Sequence, residues 1–399
     1  MNQLAAIAKN TLLQTFRQPL YGIIVIVTLG GIALAPSLTG WTLDDDNKLL
    51  RDIGLSTLLI QGLFLAAFAA SSVIDSEIED KTVLTVAAKP VSRGVFVLGK
   101  YLGVLGAILA AHYLAGIAFY MAMRHGVLQS ASEEPDMTVI VLGPLLMVVL
   151  ALAATVLNYL YEWRFLPTLV TLALPFATMA TGVLLVMDRD WKLAAYETTQ
   201  ELEKLPSEAA EESALKGIIW FRPSEGEARL AGHKGQLVRN DWKGPISNEE
   251  QDYLLGLHDS IKWRQDVNFL VEETRKKQGT EIFKAGCLTL VAVALLAAFA
   301  VAASTRLGTL GTFLVCFVAL CAGLCSDQLI RPLAEDGIAW ARWVYPALPN
   351  FQFFWMVDAL SEQFIIPWRY VLSAAGYGAV YTLAIIALAT AMFETREVG

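Results

Sequence analysis

A stretch near residue 100 matches the phosphate-binding loop pattern G-x-x-x-x-G-K, from Gly94 to Lys100. In a true phosphate loop a Ser or Thr follows the lysine to bind Mg²⁺, and a buried strand precedes the first glycine. Here Tyr101 follows the lysine, and the stretch opens a long apolar segment. The match is therefore coincidental, and we expect no nucleotide site in this chain.

The histidines and cysteines do not form a recognisable catalytic or metal-binding pattern. Neither H-E-x-x-H nor G-x-S-x-G occurs, and the histidines are scattered: His112, His125, His233 and His258. Cys321 and Cys325 share one face of a helix, so a site for a soft metal is conceivable. No His or Met completes that set, and we interpret the cysteines as small buried hydrophobes. We expect no cofactor, no metal and no enzymatic activity.

The elements that carry these residues are long apolar segments. The chain is 55% hydrophobic and 17% charged, whereas soluble proteins have about 25% charged residues. A helix needs about 20 apolar residues to cross a bilayer. Eight segments satisfy that: 19–38, 53–74, 95–123, 138–160, 165–187, 283–304, 308–327 and 370–392. The sequence therefore predicts an all-α polytopic membrane protein with about eight transmembrane helices.

The first apolar segment also has features of a signal peptide, with small residues up to Ala35. Pro36 follows directly, and the segment is long for a signal peptide, so we expect a retained span. The net charge of −8 argues against nucleic acid as a partner, because phosphate binding needs a basic surface.

The orientation follows from the distribution of Lys and Arg in short loops. Segment 75–94 contains Lys81, Lys89 and Arg93, and the N-terminus contains Lys9 and Arg17. The alternating segments 39–52 and 124–137 are acidic instead. We predict a multi-pass membrane protein with both termini in the cytoplasm.

The longest polar segment, 188–282, then lies outside the membrane as a mainly helical extracytoplasmic insertion. It contains a helical pattern near 192–216, an extended patch at 218–222 and a long amphipathic helix from about 247 that runs towards the sixth span. It is either a docking surface for substrate or an envelope partner, or a stalk that stabilises a dimer.

A second outer segment, 328–369, is too polar to span and is rich in aromatic residues: Trp340, Trp343, Tyr345, Phe351, Phe353, Phe354, Trp355 and Trp368. Such side chains concentrate at membrane–water boundaries. We predict short interfacial or re-entrant helices here. Anchoring is the favoured role, with a pore-lining role as the alternative.

The spans contain few polar side chains. His112 and Asn158 interrupt them, and we expect His112 to make a packing or interhelical hydrogen-bonding contact. Transporters coupled to protons or sodium usually keep several Asp, Glu or His residues inside the membrane. The energy source of a transporter with these spans is therefore expected to be a separate protein.

Two segments on the predicted cytoplasmic side suit contact with such a partner. Residues 3–18 have an apolar stripe at helical spacing and end before Pro19, which predicts an amphipathic helix at the inner interface. A plain membrane anchor has the same pattern. Residues 75–93 have a charged start, an apolar middle and Lys89-Pro90 as a stop, which suits a short helix in a partner's groove. A solvated loop is the alternative.

The motifs in this region resemble those of ABC-2 type permeases, and of the NosY-like subgroup in particular. The similar motifs are Glu77-Ile78-Glu79-Asp80-Lys81-Thr82, Lys89-Pro90-Val91-Ser92-Arg93, Gly99-Lys100, Ala303-Ser304-Thr305-Arg306-Leu307 and Phe393-Glu394-Thr395-Arg396-Glu397. The family core usually has six spans, whereas this chain has eight apolar segments and the unusual insertion 188–282.

The resemblance implies an exporter permease that works as a dimer with a separate ABC ATPase. Segment 3–18 would be the connecting helix and 75–93 would contain the coupling helix. The ATPase-coupling residues would be Glu77, Glu79, Asp80, Lys81, Thr82, Val83, Leu84, Lys89, Pro90 and Arg93. The rivals are a non-transporting scaffold that anchors an envelope complex through 188–282, and a secondary transporter.

The expected organisation has four parts. Residues 1–18 form the connecting helix, 19–187 the first membrane part with five spans, 188–282 the extracytoplasmic domain, and 283–399 the second membrane part with three spans and a cytoplasmic tail. The expected partners are the ATPase, a second permease copy or a related permease, membrane lipid and possible envelope proteins at 188–282.

Overall fold

A computed structural model describes residues 2–40, 46–79, 92–127, 135–187, 191, 261–361 and 365–394. Within the third and seventh helices, the side chains described are those of 48–73 and 279–304. The described residues are almost entirely helical, as the sequence predicts.

The helices follow one another in this order: α1 Asn2–Phe16, α2 Pro19–Thr39, α3 Asp46–Glu79, α4 Arg93–His125, α5 Met137–Tyr161, α6 Phe165–Val186, α7 Ile261–Ser304, α8 Thr309–Cys325, α9 Arg331–Glu335, α10 Ala339–Ala347, α11 Val357–Ser361 and α12 Trp368–Glu394. A π-helical turn, Ser326–Ile330, joins α8 to α9, and a 3₁₀ turn, Phe351–Phe354, precedes α11.

Eight of the described helical segments are long and apolar enough to cross a membrane. They are Pro19–Thr39, Lys48–Val73, Arg93–His125, Met137–Tyr161, Phe165–Val186, Gly279–Ser304, Thr309–Glu335 and Trp368–Glu394. Each corresponds to one apolar segment predicted from the sequence, so the prediction of eight spans is confirmed.

Local signals explain several of the helix ends. Pro19 occupies the first turn of α2, where its missing N–H removes no hydrogen bond. Ser92 precedes α4, and its Oγ accepts a hydrogen bond from the backbone N of Val95 at 3.4 Å. Gly126 ends α4 with φ of +71°, a conformation that glycine adopts without strain.

The chain divides into two compact units. The first comprises Met1–Val127, Ile140–Val183 and Phe283–Gly399, and the second comprises Leu128–Val139 and Leu184–Ile282. In the described part of the second unit, Asp136 is fully buried and its Oδ1 accepts a hydrogen bond from Val139 N at 3.1 Å. Trp191 Nε1 donates to the Met137 carbonyl at 3.2 Å.

The centre of the first unit is formed by α3, α4 and the second part of α7. In the most apolar 18-residue stretch of each span, 67% of the residues are buried in α3, 56% in α4 and 67% in α7, but only 11% in α5. Helices α2, α6, α8 and α12 contact this centre, and the outer spans leave apolar side chains exposed, as the lipid-facing surface of a membrane protein requires.

The region between α8 and α12 contains short helices, as its composition predicts. The span predicted at 308–327 extends further, because the π-helical turn and α9 continue it to Glu335. The aromatic residues divide into two groups. Trp340 and Trp343 are exposed, as an anchoring role requires, whereas Phe351 and Phe354 are fully buried and pack inside the protein.

Helix α7 has 44 residues, and the sixth predicted span is its second part. The long helix predicted before that span is present from Ile261 onwards. The predicted pieces at 192–216 and 218–222 lie outside the described residues.

Candidate functional site

Helix α1 packs its apolar stripe along the first half of α4. A Cβ added at Gly99 would lie 2.7 Å from Ile7 Cγ2, and one added at Gly103 would lie 2.6 Å from the Ala8 carbonyl oxygen. Small residues permit this close approach of two helices. Residue numbers rise together along both helices, so α1 runs in the same direction as α4. The stripe predicted from the sequence is thus the packed face of α1, and α4 is what it contacts.

The residues after α1 contact the end of α3, and α3 in turn contacts the start of α8. Gln18 Nε2 donates a hydrogen bond to Ser72 Oγ. The neighbouring Ser71 Oγ bonds Thr309 Oγ1 at 3.1 Å. These contacts bring the end of α1, the end of α3 and the turn between α7 and α8 to one end of the helix bundle.

The C-terminal end of α12 lies at the same end of the bundle and is bound by two arginines. Arg93 Nη1 donates to the Glu394 carbonyl at 2.7 Å, and Arg306 Nη2 donates to the Met392 carbonyl at 2.8 Å. The Phe96 and Phe393 rings stack with their centroids 5.4 Å apart. Cationic side chains are favourable here because the last carbonyls of a helix lack intrahelical partners and carry partial negative charge.

The residues predicted to couple the chain to an ATPase are only partly described. Glu77 and Glu79 lie in the last turns of α3, where the backbone alone is described. Arg93 is the first residue of α4. The remaining predicted residues lie outside the described residues: Asp80, Lys81, Thr82, Val83, Leu84, Lys89 and Pro90.

One expectation about this segment needs correction. Residues 75–79, predicted to start a separate short element, continue α3 without a break. A helix propagates readily from an existing span, because adding a residue to a formed helix avoids the cost of nucleation. The segment between Glu79 and Arg93 therefore joins the end of α3 to the start of α4, at the end of the helix bundle where α1 also lies.

The apparent phosphate loop is part of a helix, as predicted. Gly99 serves the contact with Ile7, and Lys100 is 3% exposed with its Nζ 5.4 Å from the centroid of the Phe96 ring. A buried ammonium over an aromatic face gains cation–π attraction. Gly99 and Lys100, the last two residues of the apparent phosphate loop, therefore serve the packing of the helices.

Sequence reasoning missed the glycine seam of α4 and the arginine contacts of α12. The seam was detectable, because Gly99 and Gly103 have the four-residue spacing of helix-packing motifs. Nothing local to Arg306 predicts its contact with Met392, which is 86 residues away.

His112 forms the interhelical contact expected of it. Its Nε2 lies 3.0 Å from the Gly286 carbonyl oxygen, which joins α4 to α7. Tyr113, the next residue, bonds Thr178 Oγ1 of α6 at 2.8 Å.

A polar network surrounds the π-helical turn at the other end of α8. Asp327 accepts a hydrogen bond from Tyr345 Oη at 2.6 Å through Oδ1, and one from Asn350 Nδ2 at 2.8 Å through Oδ2. The bond to the carboxylate raises the pKa of Tyr345, because it favours the protonated phenol. Gln352 Nε2 donates to the Leu324 carbonyl at 2.7 Å. These bonds fix α10 and the 3₁₀ turn to the end of α8.

Within the described part of the chain, no three His, Cys, Asp or Glu side chains lie close enough together to hold a metal ion. The eight apolar helices and the lipid-type surface define the class of this molecule: the chain is an all-α, multi-pass membrane protein. No protein-family model, curated protein or solved structure matches it.

Proposed function

We propose that this chain is the membrane-spanning permease subunit of an ATP-driven, ABC-2 type exporter whose ATPase is a separate polypeptide. The observation that carries the proposal is the position of α1. It packs on the start of α4 and, through Gln18, beside the end of α3. Segment 3–18 thus lies beside α3 and the start of α4, the two helices that segment 75–93 joins.

The contacts at this end suit the transmission of force. A movement of the segment between Glu79 and Arg93 acts directly on α3 and α4, which are among the most buried spans. Arg93 extends the connection to α12 through the Glu394 carbonyl. A partner that pushes here would therefore act on central helices as well as peripheral ones.

The proposed complex contains two permease copies in the bacterial cytoplasmic membrane, with both termini in the cytoplasm. The small buried fraction of α5 leaves room for a second copy, because most of the apolar surface of this span contacts no other part of the described chain. Among the described residues, Asp136 is the one buried acid, and it precedes α5. The scarcity of buried acids in the described spans favours an external motor over ion coupling.

The direct test replaces the apolar middle of the coupling segment. Val83→Asp with Leu84→Asp should reduce co-purification of the proposed ATPase subunit by at least about tenfold, because buried apolar anchors dominate interfaces at about 2 kcal/mol or more each. Glu79→Gln is the matched control. It should weaken binding only slightly, since exposed ion pairs contribute about 0–1 kcal/mol.

Transport-dependent ATP turnover in proteoliposomes gives the second readout and separates the rivals. Normal assembly and turnover by the double Asp variant would exclude 75–93 as the coupling element. Absence of any adjacent ATPase gene, with an intact envelope complex that needs 188–282, would favour the scaffold instead. Substrate uptake driven by an ion gradient alone would favour a secondary transporter.

A further inference from the structure

The buried centre of the helix bundle contains polar atoms without a hydrogen-bond partner in the part of the chain that the structure describes. Gln61 of α3 is 3% exposed, and both its Oε1 and its Nε2 are unpaired there. His112 of α4 is 8% exposed, and its Nδ1 is unpaired among the same residues. Both residues lie within spans, where bilayer hydrocarbon offers no hydrogen bonds.

The packing of α3 against α4 places these two residues at the same depth. A Cβ added at Gly54 of α3 would overlap the Phe119 ring of α4, so these positions face each other. Successive spans run in opposite directions. Gln61 follows Gly54 by two helical turns, and His112 precedes Phe119 by two helical turns. Two turns return each residue to the same helix face, so Gln61 and His112 occupy one layer of the α3–α4 seam.

The adjacent layers of this seam are apolar. Leu58 and Leu65 flank Gln61 on α3, and Ile108 and Ala115 flank His112 on α4; all four are buried. The polar layer is therefore enclosed by hydrophobic side chains along both helices.

The existing hydrogen bond of His112 determines what the layer must contain. A carbonyl oxygen only accepts, so His112 Nε2 donates the bond to Gly286 and carries the hydrogen. In the neutral ring, Nδ1 is then an acceptor that needs a donor. The amide of Gln61 offers two donor hydrogens and one acceptor oxygen. A group that bridges His112 Nδ1 to Gln61 Nε2 must donate to the ring nitrogen and accept from the amide.

We propose that Gln61 and His112 form an internal water-binding site between α3 and α4, at the depth where His112 also binds α7. Water donates and accepts hydrogen bonds, and buried waters typically bond two to four otherwise unpaired polar groups. The bridged site joins three central helices, α3, α4 and α7, through hydrogen bonds. A water-mediated hydrogen bond breaks and re-forms more easily than interlocked apolar side chains separate. This site is independent of the proposed motor contact.

A double-mutant cycle in lipid nanodiscs tests the site through the thermal midpoint of unfolding. Gln61→Met and His112→Phe remove the polar atoms at nearly constant volume. Each single change should lower the midpoint, because it leaves the other side chain and the water without a partner. The double variant should lose clearly less than the sum of the two losses. Leu65→Met with Ile108→Leu, one turn along the seam, is the control pair and should show small, additive effects.

Two results of the cycle would overturn the proposal. If each single change raised the midpoint, no water would bind to Gln61 and His112, since removal of an unsatisfied buried polar group stabilises a protein. Additive losses would mean that the two residues act separately.

A high-resolution density map of the unaltered chain decides the question without any variant. The site predicts an ordered peak at about 3 Å from both His112 Nδ1 and the Gln61 amide. A direct Gln61–His112 hydrogen bond, or no peak between them, would contradict it.

Discussion

At the scale of single residues, glycine positions decide where α1 lies. Atoms of α1 lie so close to Gly99 and Gly103 of α4 that a larger side chain at either position would displace α1. Gly116 lies on the same helix, and an added Cβ there would meet nothing within 4 Å. The two kinds of glycine therefore have opposite expected responses to substitution.

Gly103→Ala should destabilise the contact between α1 and α4, because its Cβ meets the backbone oxygen of Ala8, which cannot rotate away. Overpacking of this kind typically costs about 1–3 kcal/mol. Limited proteolysis of the N-terminal helix and the thermal midpoint of unfolding measure the effect. Gly116→Ala is the matched control and should be neutral or slightly stabilising, since Ala favours helix. Equal behaviour of the two variants would remove the glycine seam as the determinant of α1 packing.

At the scale of elements, the last turn of α12 depends on side chains from distant parts of the chain. Arg93 begins α4 and Arg306 lies between α7 and α8, yet both donate to carbonyls at the end of α12. These bonds link the ends of several spans, and Arg93 also belongs to the predicted coupling segment. The order of this end of α12 is thus a tertiary property.

Arg306→Ala should loosen the end of α12, because the Met392 carbonyl loses its cationic donor. Helix-end interactions of this kind contribute about 0.3–1 kcal/mol, which corresponds to about two- to fivefold faster amide exchange in the last turn. Hydrogen–deuterium exchange with peptide resolution measures this change. Arg342→Ala on α10 removes the same charge elsewhere and should leave the end of α12 unchanged. Unaltered exchange in the Arg306 variant would show that this bond does not hold the helix end.

At the scale of the whole molecule, eight spans require both termini on one side of the membrane. The bias of Lys and Arg predicts that this side is the cytoplasm and that 188–282 lies outside. The contacts that gather the turns and helix ends agree with alternating crossings, because Gln18, Ser71 and Thr309 meet at one end.

Single cysteines at Glu225 and at Lys81 test this orientation. In a background in which Cys287, Cys316, Cys321 and Cys325 are replaced, an impermeant thiol reagent on intact cells should label position 225 and spare position 81. Both positions should react after the membrane is permeabilised, which is the control for accessibility. The reverse pattern on intact cells would invert the topology.

The sequence by itself determined the spans, the amphipathic stripe of α1 and the helical state of the false phosphate loop. These properties depend on local composition and on the 3.6-residue period, which a linear pattern records. Only the tertiary structure showed that the stripe packs on Gly99 and Gly103, that Phe351 and Phe354 are buried, and that Arg306 binds the end of α12. These contacts join positions far apart in the chain. They depend on which helices become neighbours, and the apolar pattern cannot specify that because bilayer lipid and another helix satisfy an apolar face equally well.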